Sequence, residues 1–515
     1  MAGSKAASLF TLDPAQDWTG ALHGDLARHL EQEALPAFLP MQRWYAAKDK
    51  HLTGVALQLW TTLSDDAGDY VLAAVDLTFA DGASQSYFLP LTLWDASPAD
   101  PRIANTVAIV ARQGGAFELV DAAADPAFAL ALLRRLQSAD DLSGPLRCEA
   151  TDALKRISPP PPAECHRPTE EQSNISFVMG NALLFKLYRR LRPGVQPEIE
   201  VSRFLTEASF ANTPPYHGAI AYAPLGADPV PIAAAFGFVA NRGNAWDALL
   251  AILRQELANP VATAADASVS LDLVRTIGAS TADMHCAFAS AAKDPAFAVE
   301  VVAADDLRQW TAQASEQAER AFAAAGNVRR DLNDGDAAAD IDALLARAAD
   351  IRSRIERFAA LPPSGVKTRN HGDYHLGQVL VGEGDVYIID FEGEPLRSLD
   401  ERRAKTDPAR DLAGMLRSFD YLAATATEGR GTSAPALAWR HAAEAQFLQA
   451  YARQLNACRH WPNAPGSSLA RLELFLIEKA MYEISYEAAN RPGWIGIPVA
   501  GALRLLDEAF IGEGV

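Results

Sequence analysis

The stretch RNHGDYHLGQVLVGEGDVYIIDFEGEP, around residue 370, sets His371, Asp373, His375 and Gln378 on one short segment. A run of strand formers then delivers Asp390 and Glu392. Asp373 follows a turn glycine, and a carboxylate held there can take the proton of an attacking hydroxyl and orient it. Gln378 offers an amide oxygen, and Asp390 comes at a strand end. Mg²⁺ takes one or two carboxylates plus nucleotide phosphates, so Gln378 and Asp390 read as its ligands. Glu392, two residues past Asp390, reads as part of the same site. The i, i+4 spacing of His371 and His375 lacks the glutamate of HExxH, so zinc chemistry is disfavoured. The two histidines read as braces for the loop. Arg410 and Asp411, in DPARDLAGMLRSFD, start a helix, and Asp411 is placed to clamp the catalytic loop backbone.

A second constellation lies upstream in EQSNISFVMGNALLFKLYRRLRPGVQPEIEVSRFL. The polar turn of Gln172, Ser173, Asn174 and Ser176 can cradle phosphate on backbone N–H groups. Lys186 sits inside an alternating apolar run and needs a partner or an anion. Glu198 and Glu200 fall in the first turn of the helix that follows. A strand lysine paired with a helix glutamate is how protein kinases hold the α- and β-phosphates. Neither GxGxxG nor GxxxxGK[ST] occurs. Further on, PIAAAFGFVANRGNAWDALL passes from strand through a small polar loop to a helix. Backbone groups at Phe238 and Val239 can read an adenine edge there, and Asp247 reads as a helix cap.

These segments need elements to hold them. The first hundred residues alternate apolar and polar positions, with a hairpin signal at Asp81-Gly82. Four consecutive prolines in ISPPPPAECHRP (157–168) form a connector. From about Trp246 the chain is mainly helical, and the alanine-rich block 303–359 predicts two antiparallel helices broken near GNVRRDLNDGD. The expected fold is α+β and two-lobed: a cap subdomain over 1–105, a kinase N-lobe over 106–240, and a helical C-lobe over 241–515. A ligand is expected in a cleft between lobes.

The 515 residues are 49% hydrophobic and carry a net charge of −19. That size predicts two or three domains, and that charge argues against nucleic acid or an anionic membrane as partner. No apolar run is long enough to span a bilayer, and the N-terminus has no apolar core of signal-peptide length. A cytoplasmic location follows as the expectation. The four cysteines, Cys148, Cys165, Cys286 and Cys458, are widely spaced and read as free thiols.

HGDYHLGQ followed by DFEGEP resembles the catalytic signature of maltokinases, which belong with the aminoglycoside-phosphotransferase-like and protein-kinase-like enzymes. QRWYAAKDK (42–50) resembles a segment of that family's N-terminal cap. DPARDLAGMLRSFDY and EKAMYEISYEAANRPGWIGIP resemble its C-terminal segments. The resemblance implies ATP- and Mg²⁺-dependent phosphorylation of maltose at its anomeric hydroxyl, giving maltose 1-phosphate for α-glucan synthesis. It implies Asp373 as base, Gln378 and Asp390 as metal ligands, Lys186 and Glu200 on the phosphates, and the 172–176 turn over them. His371, His375 and Glu392 fall on the substrate side.

The last segment offers what a disaccharide needs, aromatic platforms beside planar polar groups: Tyr482, Glu483, Tyr486, Glu487, Asn490, Arg491 and Trp494. No trehalose synthase segment is present, although kinases of this kind also occur fused to that enzyme, which is therefore a candidate partner. The alternatives are a kinase for another sugar such as glucosamine, and a weakly active kinase-like partner of a glucan-processing enzyme.

Overall fold

The structure is a computed structural model that describes residues 7–13, 16–95, 105–112, 115–138, 145–168, 174–258, 268–290, 294–333, 335–395, 397–427, 433–462 and 471–507. The chain divides into two compact units, residues 1–203 with 215–239 and residues 204–214 with 240–515.

The first unit holds two sheets. One is built from β1 (Ser8–Thr11), β2 (Leu52–Asp65), β3 (Gly68–Phe79), β4 (Ser84–Phe88), β5 (Leu91–Asp95), β6 (Thr106–Arg112) and β7 (Gly115–Asp121). The long β2–β3 ribbon pairs antiparallel from Leu52–Phe79 to Asp65–Gly68, and the expected turn at Asp81-Gly82 joins β3 to β4, with Gly82 at φ 80°. β6 and β7 join this sheet through the β5–β7 pairing. The domain boundary expected at residue 105 therefore falls inside a sheet. Its strands are closed by a contact between distant segments, which alternation alone does not reveal.

The second sheet runs β8 (Leu146–Ala150), β13 (Tyr216–Tyr222), β14 (Val230–Gly237), β11 (Leu183–Leu187), β10 (Ile175–Met179), β9 (Cys165–His166) in spatial order; the short β12 (Arg190–Leu191) pairs with β4 of the first sheet. Helix α1 (Pro126–Gln137) is capped by Asp125 and starts on a proline, whose missing N–H costs nothing at that position. Its apolar face shares one core with Tyr70, Leu72 and Phe88 of the first sheet and Leu146, Phe177 and Phe185 of the second. The QRWYAAKDK segment has a structural task. Arg189, fully buried, forms a two-pronged pair with Asp121 at 3.0 and 2.7 Å, and its guanidinium lies 3.9 Å from the Trp44 ring. That anchors the chain three residues past Lys186. Helix α2 (Pro197–Glu207) follows.

In the second unit, α3 (Ala245–Ala258) and α4 (Val269–Phe288) precede a long α5 (Ala304–Asp331). The break predicted in the alanine-rich block lies between Asp331 and Asp336, but the block then forms two helices, α6 (Asp336–Ala346) and α7 (Ala348–Glu356), so among the described residues it holds three α-helices rather than the expected two. After β15 (Glu300–Val301) and β16 (Val366–Lys367) pair, β17 (Val379–Val381) and β18 (Val386–Ile388) form the embedded hairpin. Then come α8 (Ala409–Ala426), α9 (Ala434–Ala457), α10 (Leu472–Asn490) and α11 (Gly496–Asp507). Cys286, at the end of α4, is disulfide-bonded to Cys458, just past α9. The expectation of four free thiols is corrected at this pair: α4 packs along α9 and brings together cysteines 172 residues apart. Among the described residues no helix is long and apolar enough to cross a membrane.

Candidate active site

The turn that presents Asp373 is fixed from behind. Asp411, in the first turn of α8, accepts from the N–H groups of His371 at 2.7 Å and Gly372 at 2.9 Å. Its Oδ2 also meets His285 Nε2 at 3.1 Å, and Tyr451 OH lies 2.9 Å from His285 Nδ1. Burial pushes the Asp411 carboxyl up, but His285 and the backbone donors outweigh it and hold it below its ordinary value. Gly414 lets α8 approach: a Cβ there would stand 2.4 Å from the Tyr374 carbonyl oxygen. Gly372 turns at φ 86°, a conformation that favours glycine. Asp373, half-buried, is thus presented on a backbone whose N–H groups are already spoken for.

His371 is buried, with Nε2 donating to the Ile389 carbonyl at 2.9 Å and Nδ1 accepting from Asp373 N–H at 3.3 Å. Both ring nitrogens are engaged, so its placement on the substrate side is corrected; it is a brace. His375 Nδ1 accepts from Gly377 N–H at 3.0 Å and caps the turn Leu376–Gln378. Burial lowers its pKa, which keeps it a neutral acceptor.

The β17–β18 register pairs Val379 with Ile388, so Gln378 and Asp390 flank the hairpin's base on opposite strands. Gln378 Nε2 donates to Asp390 Oδ2 at 2.9 Å. Asp390 has φ 67°, rare for a residue with a side chain and a mark of functional sites. A carboxylate oxygen of Glu392 lies within 4.8 Å of one on Asp390. The donor set is oxygen-rich and half-buried, which fits a hard divalent cation held by Asp390, Glu392 and the amide of Gln378 turned to present its oxygen.

Against Asp373 stands a residue the sequence reading passed over. Lys479 Nζ lies 3.2 Å from Asp373 Oδ1 and 3.1 Å from Glu394 Oε1. It belongs to the α10 face carrying Tyr482, Tyr486 and Asn490, three, seven and eleven residues on. That face borders a cavity of about 500 Å³, closed by Gln313 and Gln317 of α5, by Glu394 and by Gly372. The Tyr482 and Tyr486 rings lie 6.2 Å apart and 25° from parallel. Burial pushes the Tyr482 hydroxyl up to about 12, so it stays a neutral donor.

The other α10 candidates leave the cavity. Glu483 pairs with Arg417 at 2.7 Å, and Glu487 pairs with Arg491 at 2.6 Å and accepts from Tyr421 OH at 3.4 Å. Each lies about 100° around the helix from its tyrosine, so these carboxylates join α10 to neighbouring charges. Arg491 spreads over the Tyr486 and Trp494 rings, and Trp494 is exposed. The assignment of Glu483, Glu487 and Arg491 to sugar contact is corrected on those pairings.

In the first unit, Lys186 Nζ meets Glu198 at 2.8 and 3.0 Å, and Tyr188 OH donates to the same carboxylate at 2.6 Å. The helix partner is Glu198 rather than the expected Glu200. Two residues along a helix turn a side chain about 200° away, so only one of the two can face a given strand. Ser176 is a buried strand residue paired in register with Lys186, not part of a turn. Asn174 stands at the start of β10, while Gln172 and Ser173 lie outside the described residues. Phe238 N–H is committed to the Ala182 carbonyl at 2.9 Å. Asn244 caps α3 by accepting from Asp247 N–H at 2.9 Å and donating to its carboxylate at 3.0 Å, so Asp247 completes the cap rather than forming it.

The profile of the phosphotransferase enzyme family matches residues 167–464, and that of the maltokinase N-terminal cap domain matches residues 38–135. The chain belongs to the phosphotransferase enzyme family. Among curated relatives of this phosphotransferase, a glucosamine kinase of Streptacidiphilus jiangxiensis is 28% identical over 355 residues, covering 66% of this chain and 72% of that one. A glucosamine kinase of Mycolicibacterium smegmatis is 27% identical over 341 residues, 66% of this chain and 79% of that protein. A solved glucosamine kinase in complex with glucosamine, ADP and inorganic phosphate superposes with a TM-score of 0.65 at 22% identity, over 94% of this chain and 99% of that one. That likeness establishes the kinase-like fold, sheet-rich in its N-terminal part and helical in its C-terminal part.

Charge in the phosphotransferase cavity is tightly paired. Glu394 also accepts from Arg397 Nε at 2.6 Å. Burial alone would raise its carboxyl, but Lys479 and Arg397 outweigh that and hold it at about 2, against an ordinary 4.5. A folded pKa below the unfolded one means stability present above pH 4.5 and lost as pH falls toward 2. The shift corresponds to about 3 kcal/mol. Glu394→Gln should flatten that acid limb, read as unfolding free energy between pH 5 and 2 (roughly the window in which the two pKa values lie). An unchanged limb would remove Glu394 from the account.

Proposed function

We propose that this phosphotransferase is an ATP-dependent sugar kinase whose acceptor is maltose, phosphorylated at the anomeric hydroxyl to give maltose 1-phosphate. The observation that carries the reading is the contact of Asp373 with Lys479, on the helix face whose Tyr482, Tyr486 and Asn490 border the 500 Å³ cavity. Stacked aromatics offer apolar platforms to sugar faces, and the amides of Gln313, Gln317 and Asn490 suit hydroxyls. In the proposed reaction Asp373 accepts the hydroxyl proton as the acceptor oxygen bonds to the γ-phosphorus. The bond from that phosphorus to the bridging oxygen breaks, and ADP leaves. Lys186, held by Glu198, takes the nucleotide phosphates. Asp390, Glu392 and Gln378 would hold Mg²⁺, which neutralises phosphate charge when bound.

The match to a maltokinase cap domain supports maltose. The names of the curated relatives support a second reading, glucosamine as acceptor. Phosphorus NMR of the protein with ATP, Mg²⁺ and maltose, glucose or glucosamine separates them. A maltose-dependent resonance of an anomeric phosphate is expected. A sugar phosphate formed only from glucosamine would overturn maltose, and ATP stable with every sugar would overturn the kinase reading.

Asp390→Asn tests the cation site. It removes one charge from the oxygen set and should raise the half-saturating Mg²⁺ concentration on the order of tenfold or more. A superimposable Mg²⁺ titration of turnover would take Asp390 out of the site.

A further inference from the structure

The cavity beside Asp373 contains more charge than a neutral sugar needs, and the charge next to Asp373 is arranged in pairs. Glu394 is met by Lys479 at 3.1 Å and Arg397 at 2.6 Å. Glu478 is met by Arg397 at 3.2 Å and by Arg410 at 2.9 Å. Glu316 is met by Arg320 at 2.5 Å, and Glu401 accepts from Ser398 N–H and Oγ, each at 2.8 Å. Asp373 itself is met by Lys479 at 3.2 Å. Three carboxylates, Asp373, Glu394 and Glu478, thus face three cations, Lys479, Arg397 and Arg410, in one continuous chain of contacts. Lys479 is its hinge. Its side chain is only 17% exposed, and it alone of the three cations touches Asp373.

We propose that Lys479 sets the charge class of the acceptor: with Arg397 it balances Asp373 and Glu394, so the cavity admits an uncharged sugar and turns away one carrying an ammonium group. The proposal rests on the sugar-kinase reading and adds to it which residue discriminates. Recognising an ammonium requires a carboxylate with charge to spare. Asp373, the presented base, shares the Lys479 ammonium with Glu394, Glu394 has Arg397 as well, and a second ammonium would sit beside the first, where like charges repel. A hydroxyl meets no such opposition, because the lysine, the tyrosine hydroxyls and the neighbouring amides can donate to it or leave it alone. Discrimination of this kind works through an introduced repulsion rather than an added attraction.

Glucose and glucosamine differ only in a hydroxyl against an ammonium at one carbon, so they isolate the charge. Wild type should show kcat/KM for glucose, and for maltose, at least tenfold above that for glucosamine. Lys479→Met keeps the length and removes the charge; it should shrink that ratio at least tenfold, with the glucosamine value rising relative to the others. Lys479→Arg should preserve the preference. A lysine that only supported the fold would lower all three sugars together and leave the ratio in place, which would overturn the proposal. Calorimetric binding of glucose and glucosamine to the intact wild-type chain decides the matter without turnover and without the variant folding. Tighter binding of glucose supports the proposal; glucosamine bound as tightly, or neither sugar bound, overturns it. Absence of phosphoryl transfer to any sugar, with glucose still preferred in binding, would sink the kinase reading and leave the charge filter standing.

Discussion

Replacing Asp373 by alanine should lower kcat about a thousandfold, within the 10²–10⁴ that a positioned general base contributes. The residue stands where a turn held by Asp411 and braced by His371 presents it, and its Oδ1 faces Lys479. Nothing in the Lys186–Glu198 pair depends on it, so ADP affinity by calorimetry should change less than twofold, about 0.4 kcal/mol. Asp373→Asn keeps the shape and loses the basicity, and it should fall nearly as far as alanine. An asparagine variant retaining a tenth or more of parental kcat would show that Asp373 orients the acceptor without taking its proton. A parallel loss of ADP binding would show that the substitution had disturbed more than the turn, the nucleotide-side pair included.

What is legible in the sequence is mostly what is local. Asp373, Gln378 and Asp390 lie within eighteen residues, and the hairpin joining the last two is short enough that its strand pattern and turn glycines fix the register. The role of Asp411 as a clamp was legible for a different reason: an aspartate in the first turn of an apolar helix, just after DPAR, has backbone donors as its natural partners. Three matters were not local. Glu198 displaced Glu200 because helical phase is set by how α2 seats its apolar side, and the two glutamates are alike in composition and spacing. Cys286 and Cys458 meet because two long helices pack side by side, an event that leaves no trace in cysteine spacing. Lys479 sits in EKAMYEISYE next to residues that were singled out, and following the tyrosine face one turn toward the N-terminus reaches it. Glu483 and Glu487 share the segment but not the face, and their charges belong to Arg417 and Arg491.

Asp411→Ala is expected to produce the largest loss of stability of any single change near the site. The carboxylate is buried and serves three donors at once: His371 N–H, Gly372 N–H and His285 Nε2. Removing a buried carboxylate that several buried donors share, and leaving those donors in place, costs about 3–5 kcal/mol. Here two backbone N–H groups and an imidazole lose their acceptor inside a packed interface. Asp411→Asn retains one carbonyl acceptor and should therefore lose less than alanine, but it still loses stability, since a neutral amide cannot serve both N–H groups and the histidine. Urea unfolding of the two variants against wild type gives the free energies, and kcat measured where each is still folded gives the consequence for the turn. If Asp411 acts by holding the turn, the folded alanine variant loses kcat while its ADP affinity stays within twofold of parental, because the nucleotide-side pair is built on other residues. An alanine variant as stable and as active as its parent would mean that the turn is held by its own sequence, through Gly372 and the histidine braces alone.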